Sequence, residues 1–151
     1  MQNRSERKYW PLSLIILAVA GIALVATCLY FIILRPPLLP EDMRYLGLSA
    51  GQLEIVRPRL EAWLSQVFRV VGGYVLATST LTITLAATSY RTHHWSAAIG
   101  ALIGGVMSIR TMTIVNFTID SDFKWMIFFM ALSWVCSLGL FWFETQSQES
   151  D

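Results

Sequence analysis

A chain of 151 residues with 55% hydrophobic and only 14% charged side chains falls well short of the roughly 25% charged share of soluble domains, so lipid is its expected solvent. A formal net charge of +1 with no clustered basic face excludes nucleic acid as a partner, because phosphate binding needs concentrated lysine and arginine. Long uncharged stretches, each near the ~20 residues that cross a bilayer core, predict an all-α fold: an antiparallel four-helix transmembrane bundle with an amphipathic helix in the first loop, forming a single integral membrane domain over residues 1–151.

The first span, residues 10–34, follows Arg4, Arg7 and Lys8. Tyr9 and Trp10 supply interfacial aromatics, and Pro11 suits a helix start. "LVATC" resembles a lipoprotein cleavage site, but Thr27 stands where such a site wants a smaller residue and the apolar run continues past Cys28, so a retained anchor is expected. "RPPLLPED" then carries three prolines, which end the helix and begin a loop. In "LGLSAGQLEIVRPRLEAWLSQVF", Ser49 and Gln52 have capping-box spacing, and Leu53, Val56, Leu60, Leu64 and Val67 recur at helical intervals. This stretch reads as an amphipathic helix at the membrane surface, divided in two by Pro58 at a cost of about 3 kcal/mol.

The second span, 68–90, sets Gly73, Ala77, Thr80 and Thr84 along one face; the third, 94–115, does the same with Ala97, Gly100 or Ala101, Gly104 and Ser108. Small residues let helix backbones approach closely in lipid, so these two spans are expected to form a tight hairpin packed through Gly73, Ala77, Gly100 and Gly104. The turn "YRTHHWS" holds both histidines, and adjacent His93 and His94 cannot easily face one metal, so no metal is expected there. No cofactor is expected either: Met107, Met112, Met126 and Met130 read as packing, and Cys28 and Cys136 as small hydrophobes within spans. The fourth span, 124–143, ends at Trp142 and Phe143 and leaves a polar tail, 144–151, whose composition predicts disorder.

Arg69 stands 21 residues before Tyr90 and Arg110 stands 17 after His93, distances of roughly 32 Å and 26 Å along two helices. Both arginines therefore reach the membrane boundary far from the turn. Two like charges on close-packed helices require an anion. Either an internal ion-pair layer closes the bundle end there, or a pocket beneath the first loop, lined by Arg69, Arg110, Asn116 and Asp120, holds a lipid head group or another anionic ligand.

"FRVVGGYVLATSTLTI" and "ALIGGVMSIRTMTIV" resemble the corresponding helices of small bacterial four-helix membrane proteins of unknown function, which are distantly similar to DoxX-like proteins. The resemblance covers residues 68 to 115 and rests on Phe68 and Arg69 in one helix and Gly104, Gly105 and Arg110 in the next. It implies a four-helix antiparallel bundle in a bacterial inner membrane, and little chemistry.

With no Ser/His/Asp set, metal-spaced cluster, phosphate loop or cysteine pair in the sequence, the expected function is non-enzymatic: an accessory subunit or scaffold of a larger membrane assembly. The alternative is an oligomeric transporter or lipid-binding protein that uses the arginine layer. Membrane lipids are the expected partners, together with a larger membrane protein or a second copy of the chain. Four crossings put both termini on one side, and the basic N-terminus favours the cytoplasm, although Arg35, Arg44, Arg57, Arg59 and Lys124 weigh for the opposite orientation. In intact cells, a cysteine introduced at Ser5 or Ser147 should therefore escape a membrane-impermeant thiol reagent; labelling from outside reverses the orientation.

Overall fold

The computed structural model describes residues 10–47 and 50–149, without the side chains at 50, 52, 148 and 149. Ser49 and the Gln52 side chain, which carry the capping-box expectation, lie outside it, as do Arg4, Arg7, Lys8 and Tyr9. The described residues form five helices: α1, Leu12–Leu34; α2, Pro40–Leu46; α3, Ala50–Leu85 continued through Ala86–Tyr90; α4, Trp95–Thr118; and α5, Lys124–Glu149. All but α2 are long and apolar enough to cross a membrane. The fold is an all-α four-helix bundle.

Helix α1 is the centre of the bundle. Its buried residues Leu14, Leu17, Gly21, Leu24 and Cys28 alternate steps of three and four, the spacing that keeps one seam facing a neighbour. It packs most extensively against α3 and α5. In lipid, apolar area does little to drive helices together, so close approach and interhelical hydrogen bonds set the pairing. A Cβ on Gly21 would come within 2.7 Å of Ile83, and one on Gly72 would overlap Ile32; both glycines sit at the α1–α3 seam. Cys28 fits the same seam, with its thiol 3.1 Å from the Gly72 carbonyl oxygen. Helix α4 rests instead on α5, where Gly105 lies under the Trp134 indole and the Trp134 Nε1–H donates to the Ala101 carbonyl at 2.9 Å.

These pairings correct the expected hairpin. Helix α3 approaches α4 only over Trp95–Gly104, near the turn, and has no close backbone contact with residues 105–118. A Cβ added at Gly73 or Gly104 would meet nothing within 4 Å, one at Gly100 would meet only the tip of Leu85 at 3.9 Å, and Ala77 is exposed. The glycines that bring helices together are the neighbouring ones, Gly72 and Gly105. One residue along a helix turns a side chain by about 100°, so the glycine that packs lies one step from the expected one in each helix, while Ala97 and Ala101 of the expected α4 face are buried.

Two further expectations are corrected. Pro58 lies inside α3 and does not divide it; the carbonyl it leaves without a donor, that of Glu54, sits on an exposed stretch. Residues 50–90 thus form one rod of about 60 Å, twice a bilayer core. The polar tail is also helical as far as Glu149: α5 continues through it, Thr145 is buried and Glu144 accepts from Ser13 of α1. That contact brings the start of α1 beside the end of α5. His93, at φ 55°, occupies the left-handed turn between α3 and α4.

π-Helical segments end α1 at Tyr30–Leu34 and α3 at Ala86–Tyr90, and a third, Gly105–Arg110, lies inside α4. The last begins where Trp134 docks. Gly105→Ala should therefore force the indole outward and cost about 1–3 kcal/mol as an overpacked contact. Thermal unfolding in detergent should show a lowered midpoint for Gly105→Ala and none for Gly104→Ala.

Candidate functional site

Because α3 follows α1 and α4 follows α5, the two middle helices splay apart away from their turn. The gap is a groove of about 1090 Å³, at the upper end of ordinary ligand sites. Its back wall comes from α1 and α5, including Ala20, Leu24, Ile127 and Met130. Its side walls are Phe68, Val71, Val75 and Thr78 of α3 and Ser108, Met112, Val115 and Asn116 of α4. Tyr74 and Met107, 73% and 72% exposed, stand at the rim. Along α1 the lining runs from Val19 to Arg35, roughly 24 Å, which exceeds half the thickness of a bilayer core.

One end of this apolar groove is polar. Arg35 closes it: Nη2 pairs with Asp42 Oδ2 at 3.1 Å, and Nη1 donates to the carbonyls of Pro36 and Pro37 at 3.2 and 3.5 Å. Its guanidinium lies 3.6 Å from the Phe68 ring centroid and 5.5 Å from that of Phe31. Such stacking gains strength where water is scarce, and only 8% of the Arg35 side chain is exposed. Asp42 also accepts from the Leu39 backbone N–H at 2.9 Å, which caps α2. Arg35 and Asp42 together fold the proline-rich segment over the groove.

Helix α2 places Glu41 at this end. Glu41 is 2% exposed, and its Oε1 accepts from Ser121 Oγ at 3.3 Å. No backbone of α2 packs closely on another helix. It is held by side chains: Arg35–Asp42, Ser121–Glu41 and an exposed Arg44–Asp122 pair at 3.3 Å.

The structure does not bring the four expected site residues together. Arg69 is exposed, with Nη1 3.5 Å from Gln66 Oε1. Arg110 is exposed and, among the described residues, makes no ion pair or side-chain hydrogen bond. Neither lines the groove. The expectation assumes close-packed helices at this depth, and the splay removes both the repulsion and the need for a shared anion. Asp120, at φ 53°, ends α4 in the left-handed conformation and pairs with Lys124. The Lys124 hydrogen bond, then its charge, holds the Asp120 carboxyl below the usual carboxylate range. Asn116 alone lines the groove, with Nδ2 donating to the Met112 carbonyl at 2.8 Å.

Arg35, Glu41 and Asp42 are the site residues that sequence reasoning misses. A signal is present: proline followed by Glu41 and Asp42 is the pattern of a first helical turn, with proline at its start and acids near the positive end of the helix dipole. Three prolines in one segment read more readily as helix terminators, which hides that turn.

At the opposite end, polar groups tie the bundle shut. Tyr90, fully buried, donates to the Ser137 carbonyl at 2.9 Å; Ser137 Oγ donates to the Ser13 carbonyl at 2.7 Å; and the Ser13 hydroxyl reaches Glu144. Tyr90, His93 and Trp95 also stack around Phe141. This end lacks the open volume of the other.

No known family model matches the chain, and neither the curated proteins nor the solved structures yield a match. The groove must therefore be judged on its own chemistry.

Removing one partner of a buried ion pair costs about 3–5 kcal/mol, and the 21% exposure of Asp42 discounts that figure. Arg35→Ala should still release α2 by at least about 1.4 kcal/mol, a factor of ten. Hydrogen exchange across residues 36–47 should accelerate accordingly, while the α1 and α5 amides stay protected.

Proposed function

We propose that this chain is a non-enzymatic integral membrane protein that holds an amphiphilic molecule from the bilayer in the groove between α3 and α4. The single observation carrying this reading is the groove itself, with its long apolar body and one polar end roofed by α2. Its lateral opening faces what would be the acyl-chain region, so a lipid-like molecule can enter without leaving the membrane. The charged lining groups mark the head-group end: Arg35 and Asp42 are bonded to each other and to the loop they organise, which fixes the roof over the groove.

The groove favours the lipid-binding alternative over the accessory-subunit expectation. A scaffold calls for a distinctive outer surface. Within a bilayer's depth the outward faces of these helices carry scattered apolar residues such as Ile33, Leu81 and Phe143, as any lipid-facing helix does. Binding relocates the recognition from an arginine layer at Arg69 and Arg110 to the residues at the C-terminal end of α1 and on α2.

Native mass spectrometry of the protein, extracted in mild detergent, provides the test. The wild type should retain one or two amphiphiles per chain. Ser108→Trp and Thr78→Trp, which put an indole across the groove, should lose them; Leu102→Trp, on the exposed side of α4, should not. Equal retention by all four proteins would remove the groove as the binding site.

A further inference from the structure

We infer that the polar end of the groove selects an amphiphile whose head carries a protonated amine, with Glu41 as its acceptor. The inference rests on the groove being an amphiphile site and adds what that site discriminates. Three charged residues line the groove: Arg35, Glu41 and Asp42. One guanidinium against two carboxylates leaves the head end with an excess of one negative charge.

The distribution of partners makes that excess local. Arg35 is committed to Asp42 and to the carbonyls of Pro36 and Pro37, with its face on Phe68. Three of its five N–H donors are used in this way, and an anionic head would also meet two carboxylates. Glu41 is the opposite case. It is 2% exposed, yet among the described residues no cation pairs with it, and its one hydrogen bond, from Ser121 Oγ, is 3.3 Å long. Hydroxyl donors normally approach to about 2.5–3.0 Å, and a carboxylate offers roughly four acceptor sites. The remaining acceptor sites of this carboxylate are open to a ligand in the groove. An ammonium with three N–H donors supplies both the missing charge and the missing hydrogen bonds. Asn116, which gives one amide N–H to Met112, has its side-chain oxygen as a further acceptor on the same groove.

A phosphoethanolamine lipid head and a simple long-chain amine share this chemistry, so the test separates them. The purified full chain is offered equimolar phosphatidylethanolamine and phosphatidylglycerol with identical acyl chains, and in a second arm hexadecylamine against hexadecanol; bound species are read by native mass spectrometry. At least about tenfold preference for an amine head is expected, as for a desolvated charge pair. Preference in the first arm identifies a zwitterionic lipid, and preference only in the second a simple amphiphilic amine.

Glu41→Gln should abolish the preference for the amine head. Ser121→Ala, which removes only the protein's own donor, should retain it. If Ser121→Ala loses the preference together with Glu41→Gln, the effect is one of α2 placement and the inference fails. Undiminished binding without head-group preference overturns the inference and leaves the groove reading standing. Absence of bound amphiphile, or its retention in Ser108→Trp, overturns the groove reading as well.

Discussion

In a bilayer, a helix gains nothing by hiding a leucine from lipid, so which helices pair depends on where two backbones can come close and where polar groups can meet. In this chain those places are few. Gly21 and Gly72 admit α3 to α1, Gly105 admits the Trp134 indole between α4 and α5, and Ser13, Ser137, Glu144 and Tyr90 knot one end. Everything else accommodates these contacts. Since α3 is bound to α1 and α4 to α5, no contact remains to draw α3 and α4 together beyond their turn, and the groove is the consequence.

The two ends of the bundle divide the work. At the turn end, hydroxyls and a buried phenol form a chain of hydrogen bonds across three helices. Interhelical hydrogen bonds in membranes contribute about 0.6 kcal/mol each on average, so several are needed to hold a four-helix bundle closed. At the other end the helices diverge and α2 spans the gap, held by side chains alone. A tightly knotted end beside a loosely roofed one is a geometry in which a ligand can enter sideways while the bundle stays assembled.

The same division explains which parts of the site are legible in the sequence. Asn116 is legible because it follows a span boundary that hydropathy marks. Arg69 and Arg110 attract attention because charge inside an apolar run is conspicuous, yet conspicuous charge on a helix face that turns outward needs no partner. Arg35 and Glu41 sit in a proline-rich connection, where charge is ordinary. Their importance comes from what the fold brings to them: Phe68 under the guanidinium, and Ser121, 80 residues away in sequence, beside the carboxylate. No local pattern encodes a contact of that separation.

The sequence by itself determined the number of long apolar helices and the class of solvent, because apolar length is a one-dimensional property that a bilayer reads directly. Tertiary structure alone decided which glycine of each pair faces a neighbour, that α3 runs unbroken through Pro58, that the tail is helical as far as Glu149, and which arginine closes the groove. Each of these turns on rotational phase or on contact between distant segments. A shift of one residue moves a side chain by about 100° around a helix, and only the packed neighbour fixes that angle.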